Sequence, residues 1–301
     1  MQIKVKGISH IFDKGLITEQ RALDKASVTI NQGEFITIIG PTGSGKTTFI
    51  EHLNALIRPA EGEIEYISMP LAKKRKANIK ILAKGQKISS SAMTIKPGRR
   101  KLREIKLLRK MVGVVFQFAE YQLFEETIEK DIIFGPISMG VDPVEAKNIA
   151  KKYIVDVGLP LKLLSRSPFS LSGGQKRRVA LAGILAMEPD VMVFDEPTAG
   201  LDPQGEKDMY KIFHDLHKKG KTIIIVTHNL NHVLEHSDRT IVFNNGKLTK
   251  DDKSLKIMYD KKFLEDNDLE VPKIVNLVNE LELKGKKIGM PKNIKELIKK
   301  I

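Results

Sequence analysis

The 301-residue sequence contains no cysteine, and aromatic residues make up only 6% of it. The absence of cysteine excludes disulfide bonds and thiol chemistry. Long apolar runs are also missing: TIIIV, residues 222–226, falls far short of the roughly 20 residues that span a bilayer. The first residues, MQIKVKGISH, alternate like a strand and lack the apolar core of a signal peptide. We therefore expect a soluble or peripheral protein.

The net charge of +14 suggests a nucleic-acid-binding protein, but it is unevenly distributed. Residues 71–110 hold fifteen lysines and arginines and a single acid, Glu104. The rest of the chain has 36 basic and 36 acidic residues, so it is neutral. The basic character therefore belongs to one segment.

Short apolar runs alternate with longer amphipathic stretches, which predicts an α/β protein. Each run is apolar throughout, as expected for a sheet covered on both faces. The predicted strands are residues 34–40, 112–116, 191–195 and 222–227, and the predicted helices include residues 46–56, 144–157 and 174–187. Residues 118–188 are mostly helical in pattern and predict a helical lobe inserted between strands.

Two segments differ from this pattern. Residues 67–106 are basic and show little periodicity, which predicts an insertion that is partly disordered; helical periodicity resumes at residues 102–111. We place a domain boundary after Gly246, with residues 1–246 forming the main domain and residues 247–301 a small α-rich one. In the latter, a predicted helix over residues 272–283 carries an apolar stripe, Ile274, Leu277, Val278 and Leu281, and a last helix is predicted over residues 293–301.

A glycine-rich stretch, GPTGSGKT at residues 40–47, follows the first predicted strand and opens a helix. This is the pattern and the context of a phosphate-binding P-loop. The glycines let backbone N–H groups surround phosphates at a helix N-terminus. We expect Lys46 to reach the β and γ phosphates and the Thr47 hydroxyl to hold Mg²⁺. The predicted nucleotide-binding residues of this stretch are Gly40, Pro41, Thr42, Gly43, Ser44, Gly45, Lys46, Thr47 and Thr48.

Polar residues follow three other predicted strands. Asp195 and Glu196 end VMVFDE, at the strand end where α/β proteins bind ligands; Asp195 suits Mg²⁺, and Glu196 suits activation of the attacking water. His228 ends IIIVTH; a structural role is the alternative to contact with a γ-phosphate. Gln117 follows VGVVF and suits Mg²⁺ or water through its amide oxygen. The predicted catalytic residues are Glu196, His228 and Gln117, and the predicted metal ligands are Thr47, Gln117 and Asp195.

A second glycine motif, SLSGGQ, occupies residues 170–175. Alone, it predicts a helix that begins near Gly174 and is capped by Ser172. Together with the motifs above it resembles the ATPase subunits of ABC transporters, over nearly all of residues 1–246, and LSGGQ is far more specific to that family than a P-loop. The resemblance implies a P-loop ABC ATPase fold, with a RecA-like core and antiparallel β and helical subdomains. It also implies head-to-tail pairing of two subunits, in which the ATP held by the partner's P-loop is bound by Ser172, Gly173, Gly174 and Gln175.

Phe12 precedes Gly40 by 28 positions. In the family that the motifs resemble, an aromatic side chain near this place stacks on adenine, and tyrosine is commoner there. A buried core phenylalanine is the alternative. We include Phe12 among the predicted nucleotide-binding residues.

Three stretches are similar to a narrower group, the energy-coupling-factor transporters, which import vitamins and metal ions through exchangeable substrate-binding membrane proteins. They are residues 52–64, 115–136 and 269–281. Such transporters commonly contain two different, paralogous ATPases. The sequences FQF, QLFEET and DEPTAGLDP are closer to the second of them. The resemblance implies that residues 247–301 help the two ATPases to pair, although the stripe on residues 272–283 has packing on its own domain as an alternative. Two features depart from the pattern: Ala119 stands where proline is usual, and the basic insertion is not part of the motif set.

We therefore expect the ATP-hydrolysing subunit of an energy-coupling-factor importer, using ATP and Mg²⁺ at the cytoplasmic face of the membrane. The expected partners are a paralogous ABC ATPase, a transmembrane coupling subunit and the exchangeable substrate-binding proteins, with no specific nucleic acid. The alternatives are an ATPase of another ABC importer, a nucleotide-binding regulator without turnover, which Glu196 argues against, and a soluble nucleic-acid-acting ABC ATPase. The last commonly has two ATPase units or long coiled coils, whereas this chain has one P-loop and no sustained heptads. For the basic segment, a solvated excursion and contact with anionic lipid remain open.

Overall fold

The computed structural model of the chain describes residues 1–67, 93–98 and 105–301. Most of the basic segment, and the first residues of the helix predicted from residue 102, lie outside the described residues. The described strands are β1 (Gln2–Phe12), β2 (Gln20–Ile30), β3 (Phe35–Ile39), β4 (Glu61–Ile67), β5 (Met93–Ile95), β6 (Val112–Val115), β7 (Val191–Asp195), β8 (Thr222–Val226), β9 (Arg239–Asn244) and β10 (Lys247–Lys253).

The described α-helices include each helix predicted above, with ends that differ by at most a few residues, and others that the sequence did not predict individually. They are α1 (Lys46–Leu53), α2 (Ile105–Met111), α3 (Ile128–Ser138), α4 (Pro143–Asp156), α5 (Gly173–Leu185), α6 (Pro203–Lys218), α7 (Leu230–His236), α8 (Ser254–Met258), α9 (Lys261–Asp266), α10 (Lys273–Leu283) and α11 (Ile294–Ile298). Short 3₁₀ helices are formed by Ala119–Gln122, Leu161–Leu163 and Pro168–Ser170. None of the described helices is long and apolar enough to cross a membrane.

The larger of the two sheets in the described residues has the strand order β10-β9-β3-β8-β7-β6. All of its strands run parallel except β10, which pairs antiparallel with β9. Strands β3, β7 and β8 are buried at every residue because both faces of the sheet are covered. This burial explains why their sequences are apolar throughout rather than alternating.

The smaller sheet is antiparallel, with the order β2-β1-β4-β5. Its last strand, β5, lies within the segment predicted to be an insertion of little periodicity. Ile95 is fully buried there and pairs with Ile64 of β4. Part of the segment therefore belongs to the sheet.

Three apolar cores hold these layers together. One lies between the two sheets and includes Phe49 and Phe243. Another lies on the opposite face of the larger sheet, under helices α3 to α6, and includes Phe194 and Phe213. The third joins α7 and the strand residues Ile39 and Val242 to the C-terminal helices.

The C-terminal residues are packed on the main domain. Gly246 lies in the turn between β9 and β10, so residues 247–253 complete the larger sheet. Ile274 and Val278 are buried in the third core, which supports packing of the stripe on the chain's own domain. Leu277 is 43% exposed and stays available for contact with another chain.

Candidate nucleotide-binding site

The polar residues that follow the parallel strands meet at one edge of the larger sheet. Strand β3 leads into the phosphate loop, residues 40–47, β8 into His228, β7 into Glu196, and β6 into Gln117. These strands are neighbours in the sheet and run in the same direction. Their carboxyl ends therefore form a single edge, where ligands bind in open α/β sheets.

The backbone of the phosphate loop is held by two other segments. Gly45 is the N-cap of α1 with φ of 98°, and a Cβ at this position would overlap the carbonyl oxygen of Ala22. Glycine is therefore required both by the backbone angle and by the close approach of β2. The carbonyl of Ser44 accepts a hydrogen bond of 3.1 Å from the N–H of Gly246, whose own carbonyl accepts one of 2.9 Å from the N–H of Asp24.

Lys46 lies over this loop. Its ammonium donates to the carbonyl oxygens of Gly40 (2.8 Å) and Pro41 (2.7 Å) and to the hydroxyl of Ser44 (3.3 Å). Burial lowers the pKa of Lys46, while the carboxylates of Glu196 and Asp195 act in the opposite direction. The loop thus presents a cation and backbone N–H groups at a helix N-terminus, which together suit a polyphosphate.

Thr47 and Asp195 form an oxygen pair beside the loop. The Thr47 hydroxyl donates to Oδ2 of Asp195 at 3.1 Å. Burial raises the pKa of Asp195, and the hydrogen bond from Thr47 opposes that shift. A hydroxyl and a carboxylate are hard oxygen ligands of the kind that Mg²⁺ prefers, so these residues fit the predicted metal site. Gln117 is exposed and follows β6, the strand next to β7. No hydrogen bond between described residues joins Gln117 to Thr47 or Asp195.

Glu196 and His228 contact each other directly. Nδ1 of His228 lies 2.9 Å from Oε1 of Glu196, whose side chain is 15% exposed against 78% for His228. Glu196 has a left-handed backbone, with φ of 45°, which is uncommon outside glycine and clusters at functional sites. Its N–H donates to the carbonyl of Val226 at 2.9 Å, which fixes the glutamate to the end of β8.

Helix α7, which begins two residues after His228, is held against α6 by stacked rings. Tyr210 stacks on His236 at 4.0 Å and on His232 at 4.7 Å. Nδ1 of His236 lies 3.0 Å from Nε2 of His214. Burial, with smaller contributions from His214 and His232, lowers the pKa of His236 to about 4. This layer of rings supports the helix behind His228.

Phe12 lies in the same cleft as the phosphate loop. The cleft is lined by Phe12, by Gln20 and Ala22 of β2, and by residues 43–48. Phe12 is 39% exposed, so the alternative of a buried core side chain does not hold. Gln20 and Ala22 were not among the predicted residues, because neither lies in a motif.

None of the LSGGQ residues lines this cleft, and two of them, Ser172 and Gly173, are exposed. Ser172 is the N-cap of α5, as predicted, and forms a capping box with Gln175: the Ser172 N–H donates to the Gln175 side chain at 3.1 Å, and the Gln175 N–H donates to the Ser172 hydroxyl at 3.4 Å. Ser172 and Gly173 are exposed. The structure thus brings residues 43–48 together with Phe12, and does not bring Ser172, Gly173, Gly174 or Gln175 into the same cleft.

Arg177, which was not among the predicted residues, connects three of the motifs. Its guanidinium forms an ion pair with Glu120, three residues after Gln117, at 2.8 Å. It also donates to the carbonyls of Pro197 (3.2 Å) and Ala199 (2.7 Å), just beyond Glu196. Arg177 is 6% exposed; its bond to Pro197 is buried, and its bonds to Glu120 and Ala199 are partly buried. Arg177 thereby joins the helix that follows LSGGQ to the loops that follow Gln117 and Glu196.

Residues 23–199, more than half of the chain, match the family model described as ABC transporter. The chain belongs to the ABC transporter family. The predicted fold class is confirmed, because solved ABC cassettes share the architecture.

Curated relatives place the resemblance in a narrower group within the family. The energy-coupling factor transporter ATP-binding protein EcfA2 of Mycoplasma mobile is 52% identical over 301 residues, covering 100% of this chain and 96% of that protein. The EcfA2 protein of Mycoplasmopsis pulmonis is 54% identical over 285 residues, covering 95% of this chain and 91% of that protein. The predicted likeness to the second energy-coupling-factor ATPase is therefore confirmed.

Solved structures of ABC transporter proteins are also similar to this chain. CbiO1 from Clostridium perfringens, described as part of the ABC transporter complex cbiONQ, superposes with a TM-score of 0.67 at 29% identity, covering 92% of this chain and 98% of that one. The ATP-binding cassette MJ0796, in a dimeric post-hydrolysis state bound to ADP and Pi, gives a TM-score of 0.66 at 26% identity, covering 84% and 98%.

Proposed function

We propose that the chain hydrolyses ATP as one ATPase subunit of an energy-coupling-factor importer, at the cytoplasmic face of the membrane. The observation that carries the proposal is the contact of 2.9 Å between Glu196 and His228, at the sheet edge that also holds Lys46 and the Thr47–Asp195 pair. A base, a cation and an oxygen pair at one edge are the components that phosphoryl transfer to water requires.

Each residue has a distinct task in this mechanism. The backbone N–H groups of residues 43–48 and the ammonium of Lys46 bind the phosphates and balance their charge. Thr47, Asp195 and Gln117 would hold magnesium, which would supply further positive charge close to the phosphates. Glu196 orients the attacking water and accepts its proton. His228 hydrogen-bonds to Glu196 and fixes the direction of its carboxylate.

The LSGGQ residues serve the ATP of a partner ATPase in this proposal. Ser172 and Gly173 are exposed, and they lie outside the cleft of their own chain. A site completed by a second subunit makes ATP the link between the two ATPases, so that binding favours a closed pair and hydrolysis releases it. The partner we propose is the paralogous ATPase of the same importer.

A cluster of exposed apolar side chains beside Gln117 supports contact with a transmembrane coupling subunit. Phe118 (44% exposed), Tyr121 (84%), Phe124 (58%) and Phe134 (53%) lie on the loop after Gln117 and on helix α3. Phe124 and Phe134 are packed edge to face at 5.0 Å. Exposed apolar groups of this size commonly mark an interaction surface. The same loop connects through Glu120 to Arg177, which gives the membrane contact a physical link to α5.

The test is to purify the tagged chain from detergent-solubilised membranes of its own cells, identify the associated proteins, and measure ATP hydrolysis by the complex. We expect a second ABC ATPase, a coupling subunit and vitamin- or metal-binding membrane proteins. Membrane partners of another importer class would reject the energy-coupling-factor assignment. Recovery with nucleic acid and without membrane proteins would contradict the transport function.

A further inference from the structure

Two histidines outside the phosphate loop connect Phe12 to helix α1. The ring of His10 contacts the ring of Phe12 edge to face, with centroids 4.6 Å apart and an interplanar angle of 69°. The same His10 ring contacts the ring of His52, at 5.0 Å and 74°. None of the sequence motifs includes His10, and the mechanism above uses neither histidine.

His52 is fixed on α1 by its own backbone hydrogen bond. Its Nδ1 lies 2.7 Å from the carbonyl oxygen of Thr48, one helical turn earlier. A carbonyl only accepts, so Nδ1 carries the proton and donates. His52 is fully buried, and burial lowers its pKa to about 4, so the ring is neutral at physiological pH. Its Nε2 has no hydrogen-bond partner among the described residues.

His10 is fixed in a similar way from the other side. Its Nδ1 donates to the carbonyl oxygen of Arg58 at 3.2 Å, in the segment that follows α1. His10 and Phe12 are two residues apart on the same strand, β1, a spacing that directs side chains to one face. The three rings therefore form a row that begins at Phe12 and ends on α1.

Both ends of this row reach the cleft. Phe12 forms part of its wall, and so does Thr48, the residue whose carbonyl holds His52. The row thus runs behind the cleft from the aromatic wall to the first turn of the phosphate-binding helix. Phe12 itself is partly exposed and is the last residue of β1.

We propose that His10 and His52 are positioning residues that hold the Phe12 ring at a fixed distance from the phosphate loop, so that one nucleotide contacts the ring with its base and the loop with its phosphates. This inference rests on the proposed function of Phe12 as the adenine-stacking residue. An unrestrained phenylalanine has to lose side-chain freedom when a base binds, whereas a ring held in place beforehand does not. The row of histidines therefore favours nucleotides over phosphate chains that lack a base.

The experiment compares two probes, Mg-ATP and Mg-tripolyphosphate, by isothermal titration calorimetry on the full-length chain. Three variants are used: Phe12→Ala, His10→Ala and His10→Phe, with Ile11→Ala as the matched control on the same strand. We expect His10→Ala to weaken ATP binding by about two- to tenfold, the range of an aromatic ring contact, and to leave tripolyphosphate binding unchanged. His10→Phe restores a ring and should recover most of the affinity.

The outcomes separate this inference from the function on which it rests. If Phe12→Ala weakens ATP binding and His10→Ala does not, the positioning role is wrong and base stacking stands. If Phe12→Ala leaves ATP binding unchanged, the stacking role of Phe12 fails and this inference fails with it. Equal losses for ATP and tripolyphosphate in His10→Ala, with Ile11→Ala normal, would show that His10 supports the whole site and would overturn the proposal. Should His10→Ala not fold, His10→Gln, which keeps a donor for the Arg58 carbonyl and lacks the ring, takes its place with the same expected and opposing results.

Discussion

At the scale of single residues, Glu196 is the side chain on which turnover depends most. Glu196→Gln keeps the shape of the side chain and removes the base, so ATP binding should persist. Steady-state hydrolysis by the assembled complex should fall by about 10²-fold or more, since the group acts mainly in the transition state. The measurement pairs nucleotide titration with a phosphate-release assay.

The matched control is Glu235→Gln, a glutamate on α7 whose side chain is 48% exposed. This variant should hydrolyse ATP at the normal rate. Near-normal ATP hydrolysis by Glu196→Gln would show that Glu196 is not the catalytic base.

His236 predicts a loss of stability in acid. Its pKa is lowered to about 4 in the folded chain, against roughly 6.5 when unfolded. Between these values the unfolded chain binds the additional proton, so the free energy of unfolding falls as the pH falls from about 6.5 to 4. His236→Phe keeps a ring against Tyr210 and should make this loss shallower, as measured by urea unfolding at a series of pH values.

A comparison at pH 8, where His236 is neutral in both states, gives the cost of the substitution itself. The difference between the two free energies of unfolding should then change as the pH falls below about 6.5, because only the original chain loses stability through His236. Parallel curves from pH 8 to pH 4 would show that His236 contributes nothing to the acid sensitivity; His52, also with a pKa lowered to about 4, is the next group to replace.

At the scale of helices and strands, the buried ion pair of Arg177 is the main connection between motif loops. Arg177→Met leaves Glu120 charged and partly buried, and also leaves two backbone carbonyls without a donor. The free energy of unfolding should drop by about 3–5 kcal/mol, the usual result of removing one member of a buried pair. Denaturant titration measures the change.

Arg178→Met is the matched control, because Arg178 pairs with Asp208 at 3.8 Å and both side chains are partly exposed. Its effect should stay within about 1 kcal/mol. Replacing both partners, Arg177→Met with Glu120→Gln, should recover part of the loss. Similar stabilities for Arg177→Met and Arg178→Met would show that the pair does not hold the loops together.

The strands and helices that could be predicted are those whose signal lies in consecutive residues of the sequence. Strands β3, β7 and β8 are buried throughout and read as uninterrupted apolar runs, and each is followed directly by its functional residues. Strand β5 has only three residues and depends on pairing with β4, so no periodicity marked it. The Arg177–Glu120 pair joins residues 57 positions apart, and the row of His10 and His52 depends on how β1 meets α1. Such contacts are set by tertiary packing, and an isolated histidine or arginine gives no sequence signal for them.

At the scale of the whole molecule, Ser172 tests whether two chains share one site. Ser172→Arg adds bulk and charge to an exposed position, so it should leave ATP binding to the phosphate loop of the same chain intact and prevent ATP-dependent closure on the partner. Cross-linking across the two ATPases, with and without ATP, measures closure. Loss of ATP binding by the variant chain itself would place LSGGQ in a site within one chain.

Ser172→Ala separates capping from contact. Losing the N-cap hydroxyl costs about 1 kcal/mol of stability without adding bulk. ATP-dependent cross-linking should therefore persist in this variant more strongly than in Ser172→Arg.

The C-terminal residues predict a second contact between the ATPases. Truncation after Gly246 would remove β10 and expose the third core, so it would damage the main domain as well as any pairing surface. Leu277→Asp changes one exposed side chain and should weaken pairing in the absence of nucleotide, as seen by analytical ultracentrifugation. Val155→Asp, at an apolar position of α4 that is 53% exposed, is the control. If both variants pair equally well with the partner ATPase, the apolar stripe on residues 272–283 serves only packing within its own chain.

The hydrogen bond from Gly246 to Ser44 has a consequence for synthesis of the chain. Gly246 follows Ser44 by about 200 residues, and ribosomes add about 5–20 residues per second, so the phosphate loop leaves the ribosome roughly 10–40 s before the turn that holds it. During that interval strands β8 and β9, which flank β3 in the sheet, are also still to come. A nascent chain therefore carries the complete nucleotide motif without its support. We therefore expect tight binding of ATP only after the turn that contains Gly246 has been synthesised.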